Sequence, residues 1–382
     1  KRRIIFFSSV ICFAVLVVLL IVWGTGGFSS LLKKAGANVQ LKYTAYISEV
    51  QYSGSSDARV TYADGCLFVV DGALITCHNM SGTFLWDYNF EDAVSPAFIP
   101  YENCVLAYGS NFICAFGKSG VIWEKRIDGT VDGVFLNESA GMSAVVYKND
   151  LYKSAVKVLS VAKDEPKEIF TKNYASQYII SAALSDDGKS LALSGVSADD
   201  GAVKGIISLI NTADGESYYA KYIEETVVPY VRFIDNESLA AAGPDELLCI
   251  KNEKKVKDPS SPDDVISVSK GDGASKLLCV GISGAGMCAA VFGSGDSSST
   301  AVICNSSGEA VKSVSFENSV KSIDSSDDCF AMVTDTELVL VDTGGTVVGR
   351  CSDFTGIAEA RIIDKNHVLV THGNGVAVVE FR

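Results

Sequence analysis

The chain says the same thing twice. The stretch GCLFVVDGALITCHNMSGTFLWDYNF at residues 65–90 returns as NCVLAYGSNFICAFGKSGVIWEKRI at residues 103–127; Cys77 falls on Cys114 and Trp86 on Trp123 at a spacing of 37 residues. Cys66 falls on Cys104 and Gly82 on Gly120 at a spacing of 38. Units of this length build propellers, solenoids and arrays, because each has an apolar face that only a neighbouring unit can cover. The repeat constrains architecture and leaves chemistry open.

Beyond residue 38 no segment keeps a helical period, and Gly, Asn, Asp and Ser interrupt the chain every 8 to 12 residues. That spacing reads as short strands, and a 37-residue period makes each unit four-stranded. The runs CLFVV, LLCVGI and ELVLV are continuously apolar, which requires both faces of their sheet to be covered. Outer strands such as WDYNFED and WEKRIDG mix aromatic anchors with charge, as a rim strand should. Seven units can be counted by the turn that leads into each rim strand, at residues 81–83, 119–121, 163–166, 214–216, 252–255, 307–309 and 344–346. IAEARII, HVLVTH and GVAVVEFR follow as three strands of a further unit. The strand at residues 40–48 would complete that unit, close the ring and leave no long exposed sheet edge. The expectation is an all-β propeller of eight four-stranded blades over residues 39–382, with seven as the alternative.

Residues 4–23, IIFFSSVICFAVLVVLLIVW, carry no charge. Twenty residues at a 1.5 Å rise span a bilayer core of about 30 Å. The segment is expected to be a transmembrane helix, with residues 1–3 as a cytoplasmic stub and 24–38 as a juxtamembrane linker. Lys1, Arg2 and Arg3 before the run outweigh Lys33 and Lys34 after it, so the N-terminus stays inside and the body lies outside the cytoplasm. A cleaved signal ending at Ala35-Gly36-Ala37 is the alternative, and exports the body equally.

The two Gly-to-Trp units, Gly82-x-x-x-Trp86 and Gly120-x-x-Trp123, with their strand, hairpin and Ser-Gly turn, resemble the repeats of quinoprotein-type and WD40-like β-propellers. The whole is similar to bacterial single-pass membrane proteins that carry such a propeller outside the cell. Quinone-dependent members of that group imply a calcium site and adjacent half-cystines. Here no two cysteines are neighbours, and no acidic cluster matches the calcium ligands. No cofactor is therefore expected.

Candidate sites are few. Trp86, Trp123, Gly82 and Gly120 read as structural repeat positions, the tryptophans as anchors between blades. Gly284-x-Gly286-x-x-Ala289 imitates a dinucleotide fingerprint, but Gly293-Ser294-Gly295 interrupts before the necessary helix could form; it reads as a hairpin. The three histidines, His78, His367 and His372, sit at strand ends without a ligand spacing. Asp186-Asp187-Gly188 and Asp199-Asp200-Gly201 are hairpin turns that could alternatively bind a hard cation. Catalytic and metal residues are therefore set at none.

With Asp71-Gly72 as a two-residue turn, Cys66 would face Cys77 and form a disulfide candidate. Asn79, Asn137, Asn236 and Asn305 head Asn-x-Ser sequons, glycan sites only in a eukaryotic secretory setting. After residue 34 the chain holds 27 basic against 46 acidic side chains. Such a body repels phosphate, which excludes nucleic acid as a partner. The expected function is a membrane-anchored, extracytoplasmic, non-catalytic binding or scaffold module. Its partner would be an envelope protein or a cell-surface polymer. The alternative is an exported hydrolase, lyase or quinoprotein-like enzyme with acids at the central mouth.

Overall fold

The computed structural model describes residues 43–51, 59–90, 96–101, 104–161, 166–197, 203–224, 226–251, 265–268, 276–294, 298–373 and 375–382. The stub, membrane span and linker expected before residue 39 lie outside these residues. Among the described residues no helix is long and apolar enough to cross a membrane.

Among the described residues thirty-two strands, β1–β32, form eight four-stranded antiparallel sheets. Blade 1 is β2–β5 (residues 59–89), blade 2 β6–β9 (97–126), blade 3 β10–β13 (130–174) and blade 4 β14–β17 (177–224). Blade 5 is β18–β21 (230–268), blade 6 β22–β25 (276–316) and blade 7 β26–β29 (322–351). Blade 8 takes β30–β32 (357–381) from the end of the chain and β1, Tyr43–Gln51, from its beginning. Eight blades, not seven, is the count.

The apolar runs become the middle strands of blades. β3, Cys66–Asp71, is buried from Cys66 to Val70, and β23, Cys288–Gly293, is buried throughout. Each such strand presents alternate side chains to the blades on either side. Phe68, Val70, Ile75 and Cys77 of blade 1 share a core with Val105, Ala107, Cys114 and Phe116 of blade 2. Equivalent shared cores join every later pair up to blades 6 and 7. Phe381 of blade 8 lies under Gly349 of blade 7, where a Cβ would stand 2.8 Å from its ring. Val50, Leu369, Val376 and Val378 of blade 8 then meet Val60, Leu67 and Val69 of blade 1. The ring is closed. Each fully buried Leu, Ile, Val or Phe contributes about 1.5–3 kcal/mol, so interblade burial is what holds the ring together.

At most blade junctions the first strand of one blade meets the first strand of the next, so the first strands lie innermost. Several of these strands carry a bulge against the second strand, and the extra residues Asp132, Ile180, Leu278 and Ala358 are exposed. The inner surface therefore mixes apolar and charged side chains.

One register differs from expectation. Asp71 pairs with Leu74, so the hairpin turns on Gly72-Ala73; Cys66 then opposes Asn79, and Cys77 opposes Phe68. Gly72 alone among these turn residues has a positive φ, at 63°. A turn with its positive φ at the first central position places glycine there, whereas centring on Asp71-Gly72 demands it of both residues.

Candidate functional site

Turns joining first to second and third to fourth strands of each blade open on one face of the ring. On that face the turns of blades 4, 5 and 6 enclose a groove of about 280 Å³, lined by Asp186, Ile234, Asp235, Asn236, Gly284, Ala285, Gly286 and Ser306. Two motifs prominent in the sequence, Asp-Asp-Gly and Gly-x-Gly, thus meet on one wall-to-wall cleft. The Gly-x-Gly segment is the turn between β22, Lys276–Ile282, and β23, with no helix after it. Gly286 has φ 73°, and a Cβ on Gly284 would collide with the Asp327 carboxylate, so both glycines are required by backbone shape and crowding.

The turns are tied to one another. Asn137 Nδ2 donates to the Leu184 carbonyl at 2.8 Å and to Asp186 Oδ1 at 2.9 Å, linking blade 3 to blade 4. The Asp187 amide donates to Asn236 Oδ1 at 3.0 Å, linking blade 4 to blade 5. Ser325 Oγ donates to the Ile282 carbonyl at 2.7 Å, and the Ile362 amide donates to Asp324 Oδ2 at 2.7 Å. A surface fastened in this way loses little conformational freedom when a ligand arrives.

Charge on these turns is one-sided. Asp186, Asp187, Asp235, Glu237, Asp327 and Asp328 sit at the turns that join first to second strands in blades 4 to 7, and Lys189 is the single basic residue on those four turns. Burial by itself would raise the Asp187 carboxyl. The Lys189 ammonium and amide and the Ser185 hydroxyl outweigh it and bring the group down to about 2. Asp324, on the innermost strand of blade 7, is the reverse case: burial holds its carboxyl above the ordinary range against the Ile362 amide and the Arg361 guanidinium. Glu359 raises it further and is itself paired with Arg361 at 2.7 Å.

The remaining predicted residues lie elsewhere. Trp86 stacks on Phe116 of the next blade, 5.7 Å between centroids, and Trp123 packs among Cys104, Leu106 and Ala115. Gly82 and Gly120 are turn residues with φ 90° and 112°. His78 bonds Thr76 Oγ1 and the Gly82 carbonyl within its own hairpin. His367 and His372 begin and end β31, His367–His372, the first beside Asp364 and the second against Phe354. Asp199-Asp200-Gly201 lies outside the described residues. Cys66 and Cys77 are buried thiols, and burial, reinforced by Cys66, pushes Cys77 up to about 12. Asn236, Ser306 and Asp324 were not singled out by sequence. Asn236 was visible only as a sequon, and its role depends on a residue 49 positions away.

The fold is that of WD40-like propellers. Sqt1 of Saccharomyces cerevisiae matches with a TM-score of 0.59 at 11% identity, over 91% of this chain and 99% of that one. Sqt1 of Chaetomium thermophilum, bound to the N-terminus of the ribosomal protein L10, matches with 0.61 at 10% identity over 88% and 100%. The Cps50 (Swd1) propeller domain of Myceliophteria thermophila gives 0.52 at 10% identity over 88% and 99%. At such identities only the fold is shared. Among curated proteins none matches the sequence. The model of a family of unknown function, DUF5711, does match over residues 38–381, and the chain belongs to that family.

Proposed function

We propose that the chain is a non-catalytic binding module, tethered to the membrane by residues 4–23 and displayed outside the cytoplasm, which receives a basic segment of another envelope protein on its acidic turn face. The observation that carries this reading is the groove between blades 4 and 6, with six carboxylates to one lysine on the turns that join first to second strands in blades 4 to 7. Complementary charge raises encounter rates and selects partners by sign. A propeller of the same fold holding the N-terminus of a ribosomal protein supports a peptide-like ligand. The uncharged run flanked by Lys1, Arg2 and Arg3 supports the tether and its orientation.

The test uses the full chain in detergent and a fluorescent Lys/Arg-rich decapeptide. Binding should weaken with salt, and the double variant Glu237→Lys/Asp328→Lys should lose about fivefold or more in affinity. Asp150→Lys, on the opposite face, should bind as the parent does. Equal binding by all three would sink the groove as the site. Protease added to intact, outer-layer-stripped cells should cut the body; protection would overturn the orientation.

A further inference from the structure

In blade 6, Cys288 of β23 stands directly opposite Cys304 of β24, Ser299–Cys304. Among the described residues this is the one rung shared by two cysteines. Directly opposed residues of an antiparallel pair point to the same face with Cα atoms about 4.5–5.5 Å apart. That falls inside the roughly 4.4–6.8 Å a disulfide spans. Cys66 and Cys77 are diagonal rather than directly opposed, a less direct relation. Cys304 Sγ–H donates to the Cys288 carbonyl at 3.5 Å, and in this structure both residues are fully buried free thiols. A third thiol, Cys249 on β20, Leu247–Lys251, belongs to the same core but comes from blade 5.

The position bears on the groove. Cys288 lies two residues after Gly286, and Cys304 two residues before Ser306. Both turns that form the blade 6 wall therefore spring from this pair.

We propose that Cys288 and Cys304 are joined by a disulfide made while blade 6 folds, and that this bond fixes the two turns walling the groove. One cysteine thiolate attacks a disulfide oxidant, either a low-molecular-weight disulfide or a thiol oxidoreductase. A mixed disulfide forms and one thiol of the oxidant is released. The second cysteine then displaces the other sulfur, so one S–S bond is made, one is broken, and the two thiol protons end on the two released thiols. Exchange precedes docking of blade 5, because the finished core closes both sulfurs off from solvent. The hairpin is a local contact and forms early, which selects Cys304 over Cys249 as partner. Bridging in cells rests on the extracytoplasmic reading above.

The full chain is refolded in a glutathione redox buffer, alkylated under denaturing conditions, digested and weighed. The expected product is a Cys288–Cys304 linked peptide pair, two hydrogens lighter than the thiols, with Cys249 alkylated; C249S gives the same bridge. Reductant should lower the melting temperature by about 5 °C, and should leave the double variant Cys288→Ser/Cys304→Ser unmoved. Alkylation of both cysteines after oxidising refolding, or a Cys304–Cys249 link, overturns the proposal. A pair that bridges on refolding yet is isolated from cells as free thiols overturns the extracytoplasmic reading and upholds the pair.

Discussion

Trp86 serves two blades through three contacts. It stacks on Phe116 at 5.7 Å, meets Phe68 edge-on at 5.9 Å, and donates Nε1–H to the Lys118 carbonyl at 2.8 Å. Trp86→Ala removes all three and should cost about 3 kcal/mol in chemical denaturation. Trp86→Phe keeps a ring and should cost about 1 kcal/mol, the worth of the lost hydrogen bond. This residue was legible because its repeat partner, Trp123, marks the position as structural. Asp324 was not legible: SIDS offers no pattern, and its partner amide is 38 residues away. Its raised carboxyl binds protons more readily folded than unfolded. It therefore subtracts stability as pH climbs from the ordinary aspartate value through its folded one. Asp324→Asn keeps an oxygen for the Ile362 amide and drops the charge. Thermal melts should show it at least as stable as the parent at pH 7, with a flatter dependence between pH 4 and 7.

At the scale of the strand and its turn, one device recurs where the third strand of a blade meets the fourth. Asn79 Oδ1 accepts the Ser81 and Thr83 amides, and Asn305 Oδ1 accepts those of Ser307 and Glu309. Asp342 Oδ1 does the same for Thr346. A glycine of positive φ follows each, Gly82, Gly308 and Gly345. Two of the four sequons are thus Asx turns in which asparagine organises backbone, and the other two, Asn137 and Asn236, tie neighbouring turns together. Gly308→Ala should cost about 1 kcal/mol, read by urea titration. Gly195 is more demanding: a Cβ there would overlap the Tyr178 carbonyl beside the bulge in β14, Gln177–Leu184. Gly195→Ala should cost clearly more than Gly308→Ala in the same titration. Turn positions could be read from sequence because Gly, Asn and Asp announce them. Register could not: whether Asp71-Gly72 or Gly72-Ala73 forms the corner shifts every rung, and both choices contain the same glycine.

For the whole molecule, eight blades were countable because seven rim turns and a further strand set are local features. The groove was not, because Asp186, Asn236 and Gly284 come from three blades and meet only when the ring closes. Its charge was legible only as a total, not as a place. Closure itself hangs on β1, which pairs with β32, Gly375–Phe381, from Tyr43 opposite Phe381 to Gln51 opposite Gly375. Deleting residues 43–51 leaves β32 with an open edge, which invites pairing with other chains. Such a truncation should form higher oligomers in light scattering and exchange blade 8 amides early.

A fastening made from the two extremities of the propeller joins residues far apart in sequence, carries a large loop-closure cost, and is expected late in folding. In that order seven blades stack as an open horseshoe, each gaining one dry flank from the blade before it, while the first and last stay wet on theirs. Recognition that needs turns held in a fixed circle therefore matures later than the sheets themselves, and a chain halted short of Gly375 would possess most of its secondary structure and no finished mouth.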